Sequence, residues 1–245
     1  IELQMIQTTT SASIEQNRLL GDVASEYATI LDMFKSDDDI RQHFLKPFVI
    51  NDYAMATDAH CMVFFDKSLC PGVDPFTGKD ASGIVGIIPT ERNVDFNITV
   101  ETLQGAINTS PLVDEFLVEE KVTKCDACDG EGEVEYEFSH GRKWHTLDHE
   151  CPECEGEGEI IDEVKTPTGK QIIDLDRFIK IRISTFSIRN LLKLIEVAKL
   201  LKQDVITLTY MVKEYGTSVF KIGNVEVLVM PVMANDSELV VCHIA

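Results

Sequence analysis

HFLKPFVINDYAMATDAHCMVFF, residues 43–65, holds two apolar runs of strand character on either side of Asn51-Asp52, a dipeptide suited to a tight turn. Just before it, Leu20, Val23, Tyr27, Ile30, Leu31 and Phe34 recur at helical spacing, with Ser13 placed to cap the helix start. Helix followed by paired strands is therefore the local order. It returns near the other end of the chain. FIKIRISTF (residues 178–186) reads as a strand, Ser187 caps a helix over IRNLLKLIEVAKLLKQ, and VITLTYMVKE, TSVFKIG and VEVLVMPVM read as three strands. Between them, PGVDPFTGKDASG is a loop, and VDFNITVETLQGAIN reads as a strand leading into a short helix.

The middle of the chain is built differently. CDACDGEGE (125–133) and CPECEGEGE (151–159) repeat the pattern C-x-x-C-x-G-x-G. Two sulfurs from one tight turn reach one ion, and two such turns complete a tetrahedral Cys₄ set for zinc: Cys125, Cys128, Cys151 and Cys154. Glycines in both turns allow the chain to curl back around a metal. A closed ligand set of this kind is structural, because no coordination position stays open for water. A redox dithiol, or a mixed site drawing on His145 or His149, are the other readings. Between the turns, EVEYEFSHGRKWHTLDHE alternates apolar and charged residues around a Ser-His-Gly turn, the pattern of a protruding β-hairpin. The expected division is 1–118 as a first half, 119–166 as the zinc hairpin insertion and 167–245 as a second half, in an α+β protein.

Composition sets the limits. A chain of 245 residues, 44% of them hydrophobic, can bury a substantial core. It has no apolar run long enough to cross a membrane as a helix, and its first residues lack a signal peptide's pattern, so a soluble cytoplasmic protein with reduced thiols is expected. Net charge is −20, with Lys+Arg against Asp+Glu at 7 and 20 over residues 1–120, 5 and 14 over 121–165, and 10 and 8 over 166–245. A surface this acidic excludes a protein coated in nucleic acid, but the last segment concentrates Arg189, Lys193, Lys199 and Lys202 on one helix, a candidate for weak, salt-sensitive nucleic-acid contact. The first helix instead carries Glu15, Asp22, Glu26 and Asp32. His60 beside Asp58 lacks a partnered nucleophile, Cys61, Cys70 and Cys242 read as buried thiols, and no phosphate-binding loop or calcium loop occurs, so no enzyme is expected.

Two family resemblances follow from these residues. The paired cysteine turns resemble the zinc-binding repeats of DnaJ-type co-chaperones, which implies one structural zinc here and, as one reading, an adaptor that binds protein partners. Ala56-Thr57-Asp58-Ala59-His60-Cys61-Met62 and the closing Val229-Met230-Pro231-Val232-Met233 resemble two motifs of bacterial DNA sliding clamps. Where the first clamp motif carries glycine and arginine, this chain has Ala59 and Cys61. That resemblance implies a duplicated βαβββ clamp-type fold and a pocket for short partner peptides lined by Thr57, His60, Met62, Val229, Met230, Pro231 and Met233. It also implies a non-enzymatic role in replication or DNA metabolism, with oligomer formation in view.

Overall fold

The computed structural model describes residues 25–79, 81–233 and 239–245. In chain order the first elements are α1 (25–34), β1 (Phe48–Ile50), β2 (Tyr53–Thr57), β3 (Cys61–Asp66), α2 (Ala81–Gly86), β4 (Phe96–Thr99) and α3 (Val100–Ile107). A central group follows: β5 (Leu112–Lys124), β6 (Glu133–His140), β7 (Lys143–Glu150) and β8 (Glu159–Ile173). Last come β9 (Phe178–Ile181), β10 (Ser184–Ser187), α4 (Ile188–Leu200), β11 (Val205–Tyr210), β12 (Ser218–Ile222), β13 (Val225–Val229) and β14 (Val240–Ile244). The protein is mostly sheet with few helices. The chain divides into two compact units, Leu112–Ile172 and the residues on either side of it.

The flanking unit is organised around a seven-stranded sheet of order β1-β2-β3-β13-β12-β11-β4. Every neighbouring pair in it is antiparallel. Its two meanders, one from each end of the sequence, join where Cys61, Met62, Val63 and Phe64 face Val229, Leu228, Val227 and Glu226. Strand alternation sends Ala54, Ala56, Cys61, Val63, Phe65, Val227 and Val229 into the larger core. That core also takes Tyr27, Ile30, Leu31 and Phe34 of α1 and the apolar face of α4. Met55, Met62, Phe64 and Leu228 point to the other face, where they meet Phe44, Phe76, Ile84 and Ile88. Both faces being covered explains why the central strands read as nearly unbroken apolar runs.

Several expectations need adjustment. Ser13, Leu20 and Val23 lie outside the described residues. FIKIRISTF is two strands, because Arg182 takes a left-handed backbone (φ 52) and turns β10 back along β9. β14 joins the same small sheet in parallel with β9. HFLKPFVIND is strand only at its end; residues Asp39–Phe44 wind as a 3₁₀ segment capped by the Asp38 carboxylate, which accepts from the Ile40 N–H. The predicted cap at the second helix is present: the Ser187 hydroxyl accepts from the Arg189 N–H at 3.2 Å.

The central unit consists of two ribbons, β5 with β8 and β6 with β7. β6 and β7 pair from Glu133–Glu150 to His140–Lys143, leaving Gly141-Arg142 as a two-residue turn with Gly141 at φ 66. Alternation sorts this hairpin sharply. Val134, Tyr136, Phe138, His145, Leu147 and His149 share one side, while Glu133, Glu135, Glu137, Asp148 and Glu150 share the other.

Candidate functional site

Three sets of residues are brought together. The first is the cysteine quartet. Cys125, Cys128, Cys151 and Cys154 are buried, and their Sγ atoms all lie within 4.8 Å of one another. Sγ–Sγ separations of 3.8 Å for Cys125–Cys151 and 3.6 Å for Cys128–Cys154 match the ~3.8 Å edge of a tetrahedron with Zn–S bonds of about 2.3 Å. The two turns are near copies. The Gly132 N–H donates to Cys128 Sγ at 3.3 Å, and the Gly158 N–H to Cys154 Sγ at 3.2 Å. Across the pair, the Cys125 N–H donates to the Gly158 carbonyl at 2.9 Å and the Cys151 N–H to the Gly132 carbonyl at 2.8 Å. Glycine is required at the contact: a Cβ on Gly132 would stand 2.2 Å from the Gly156 oxygen, and one on Gly158 2.6 Å from the Gly130 oxygen.

The protons of four thiols this close are unevenly held. At Cys128, burial opposes ionisation but the Gly132 N–H and the neighbouring thiols pull the group down to about 7. At Cys154, burial comes first and the other thiols add to it, pushing the group up to about 11. A divalent ion of borderline softness would replace those protons and satisfy all four sulfurs, so the quartet fits zinc in number, spacing and donor type.

The second set is an apolar cavity of about 230 Å³ at the end of the β3–β13 pair. Thr57, His60, Met62 and Met230, all four read from sequence as pocket residues, line it together with Leu228 and Ile84. The Met230 N–H donates to the His60 carbonyl at 2.9 Å, tying the two motifs directly. Val229 does not face the cavity; it is fully buried in the larger core, because it alternates with Leu228 and Met230. Pro231 and Met233 are not among the lining residues either, and Met233 is 69% exposed. Of the residues that sequence reasoning missed, Phe44, Thr217 and Leu228 stood in runs read as strand, and Ile84 and Ile87 lie just beyond the PGVDPFTGKDASG loop in a stretch given no element. Leu228 alone carried a signal, since it shares Met230's face of the strand.

The cavity rim is held by ionic contacts. The Asp58 carboxylate accepts from the His60 N–H at 2.8 Å, the Cys61 N–H at 2.7 Å and Lys193 Nζ at 2.6 Å. Ala59 between them takes φ 73. Burial alone would raise the Asp58 carboxyl, but Lys193, the two N–H groups and the lysine charge hold it below the ordinary carboxylate range. The segment carrying Ile84 and Ile87 is pinned at two places. The Val49 N–H donates to the Asp74 carbonyl and the Phe76 N–H to the Val49 carbonyl, while Arg92 forks onto the Glu226 carboxylate at 3.2 and 2.8 Å.

The third set is the row of cations on α4 and just beyond its end, where Lys202 lies. Lys193 belongs to Asp58 and sits 5.2 Å over the Phe34 ring; Arg189 bonds Asp176 at 2.8 Å, and Lys199 bonds Glu196 at 2.6 Å. Only Lys202 of the four has no carboxylate partner among the described residues. Three of the four cations are therefore engaged by carboxylates, two of them in exposed pairs that are individually weak.

No protein-family model matches the chain, and no curated protein matches it. Among solved structures it is similar to the DNA polymerase sliding clamp of Bacillus subtilis, at 10% identity and a TM-score of 0.45, over 86% of this chain and 62% of that one. It is also similar to the sliding clamp of Bartonella birtlesii bound to griselimycin (13%, 0.44, 86% and 65%) and to the DNA polymerase III subunit beta of Pseudomonas aeruginosa (12%, 0.42, 86% and 65%). The chain thus spans less than two thirds of the length of these clamps. Likenesses this low carry no argument about function. No helix among the described residues is long and apolar enough to cross a membrane.

Proposed function

We propose that this protein is a non-enzymatic binding protein of the sliding-clamp kind, which captures a partner by a short apolar peptide seated between the Thr57–Met62 and Leu228–Met230 segments. One observation carries the reading. Two motifs far apart in sequence, each resembling a clamp pocket motif, meet in register, and Thr57, His60 and Met62 of the first line one apolar cavity with Met230 of the second. The cavity is small, walled by adaptable Met side chains and edged by a fixed turn, which suits an anchor residue from an extended peptide. A role in replication or DNA metabolism is part of the proposal and rests on the motif resemblance. The Cys₄ pair serves as a structural zinc site in the central unit.

The test is a fluorescence-anisotropy titration of short peptides bearing Leu, Met or Phe anchors against wild type and Met230→Ala, with thermal unfolding followed in parallel. Binding that Met230→Ala weakens about tenfold without lowering stability supports docking at this cavity. No binding by any peptide sinks it.

A second reading has its own support. The side of the β6–β7 hairpin that carries Tyr136, Phe138 and Leu147 leaves each of them about half exposed, which favours an adaptor whose zinc unit itself holds protein partners. Binding of a protein partner that survives Met230→Ala but is lost in Tyr136→Ser/Phe138→Ser would favour it.

A further inference from the structure

Beside the apolar cavity lies a second hollow of about 360 Å³, lined by Arg41, His43, Phe44, Phe76, Lys79 and Ile84. Phe44 and Ile84 belong to both, so the two hollows share a wall. Phe44 and Phe76 stack at 6.5 Å between ring centroids, and His43 meets Phe76 edge-on at 5.9 Å. In a chain of net charge −20, three of six lining side chains are basic and none is a carboxylate.

Resting on the peptide-docking reading above, we propose that the partner peptide carries a carboxylate beside its apolar anchor, and that Arg41, His43 and Lys79 receive it. The basic groups are placed for this. Arg41 is held by its Nη1 donating to the Asp58 carbonyl at 3.2 Å, with Asp38 only loosely near at 3.8 Å from Nε, so the guanidinium is positioned and keeps donors in hand. Lys79 is exposed and has no ion-pair partner among the described residues. The same Asp58 that orients the His60 turn also anchors Arg41 through its carbonyl, so the apolar and basic hollows share one support. An anchor residue in the first hollow therefore leaves an adjacent side chain over the second. There a carboxylate gains charge-assisted hydrogen bonds, while a lysine or arginine meets like charge.

The experiment uses the full chain and paired peptides identical except for Glu or Gln next to the Leu, Met or Phe anchor. Anisotropy at low and high salt is expected to show the Glu member binding about tenfold tighter at low salt, with the gap narrowing as salt rises. In Lys79→Gln, an exposed substitution that leaves Arg41 in place, the gap should shrink several-fold while the Gln peptide binds as it does to wild type. Equal binding of Glu and Gln peptides to wild type overturns the basic subsite and leaves apolar docking intact. Tighter binding of the Gln member also overturns it. Failure of both members to bind overturns the docking reading and this one with it.

Discussion

Replacing Gly132 with alanine loads the cysteine pair at its tightest point. Gly132 has φ +77, a conformation that costs a residue with a Cβ roughly 1–2 kcal/mol. The new Cβ would also lie 2.2 Å from the Gly156 carbonyl oxygen, well short of the roughly 3.5 Å of an ordinary non-bonded contact, and a backbone carbonyl has no rotamer by which to leave. The two turns must part, and the Gly132 N–H then loses its hold on Cys128 Sγ, worth about 1 kcal/mol. Together these amount to about 2–3 kcal/mol, or roughly 30- to 150-fold in zinc affinity. Gly141→Ala is the control, because Gly141 has a similar φ of +66 but open space where the Cβ would go. Competition against a chromophoric chelator should show Gly132→Ala releasing zinc far more readily than wild type, and Gly141→Ala within about threefold of it. Equal affinities for Gly132→Ala and Gly141→Ala would refute the reasoning, as would zinc-free wild type by elemental analysis.

Removing residues 112–172 and closing the gap with a short Gly-Ser link should leave the flanking unit folded, because the Asp174 N–H already donates to the Pro111 carbonyl at 2.8 Å; loss of its cooperative thermal transition would contradict this. Lys193→Met leaves Asp58 with two N–H donors and no cation, and chemical denaturation should show a loss of about 2–3 kcal/mol, together with weaker peptide docking. Asp58 has a depressed carboxyl, so its contribution is present above the unfolded value near 3.8 and is lost as pH falls through the lower folded value; Asp58→Asn should flatten the acid limb of a stability–pH curve in that window, and an unchanged limb would argue against the pair. Cys61 is 1% exposed and its thiol is pushed far up by burial and by the Asp58 charge, so native protein should resist iodoacetamide there while denatured protein reacts, as peptide mass mapping would show.

Residues whose role is fixed by near neighbours were legible in the sequence. The C-x-x-C-x-G-x-G turns carry their cysteines, their glycines and their repeat within one short stretch, and the structure clusters the four sulfurs. Ser187 and the apolar row of α4 were legible for the same reason. The cavity was legible only by half. Thr57, His60, Met62 and Met230 stood in motifs, but assigning Val229 to the pocket ignored the alternation of a strand buried on both faces. Phe44, Ile84 and Ile87 reach it from a 3₁₀ segment and from the helix α2 and its exit, whose local sequence has no strong periodicity; their positions are set by Val49, Arg92 and Glu226 elsewhere in the chain. The pairing of the cation row was only partly legible, because a partner such as Asp58 for Lys193 is a long-range fact, whereas Glu196 for Lys199 is a local one.

The β3–β13 seam also dictates when the cavity can exist. Its register pairs residue 61 with residue 229, so ordering the seam closes a span of about 170 residues, an entropy term of about 4–5 kcal/mol that only the completed sheet offsets. Contacts of such sequence separation slow the search for the native state. A nascent chain lacking β13 has Thr57 and His60 but no Leu228 or Met230 opposite them, so it has no groove to offer a partner. On the docking proposal, binding would therefore double as a proofreading signal: only molecules with the β3–β13 seam closed would be competent to bind, and a bound peptide would in turn hold that seam shut.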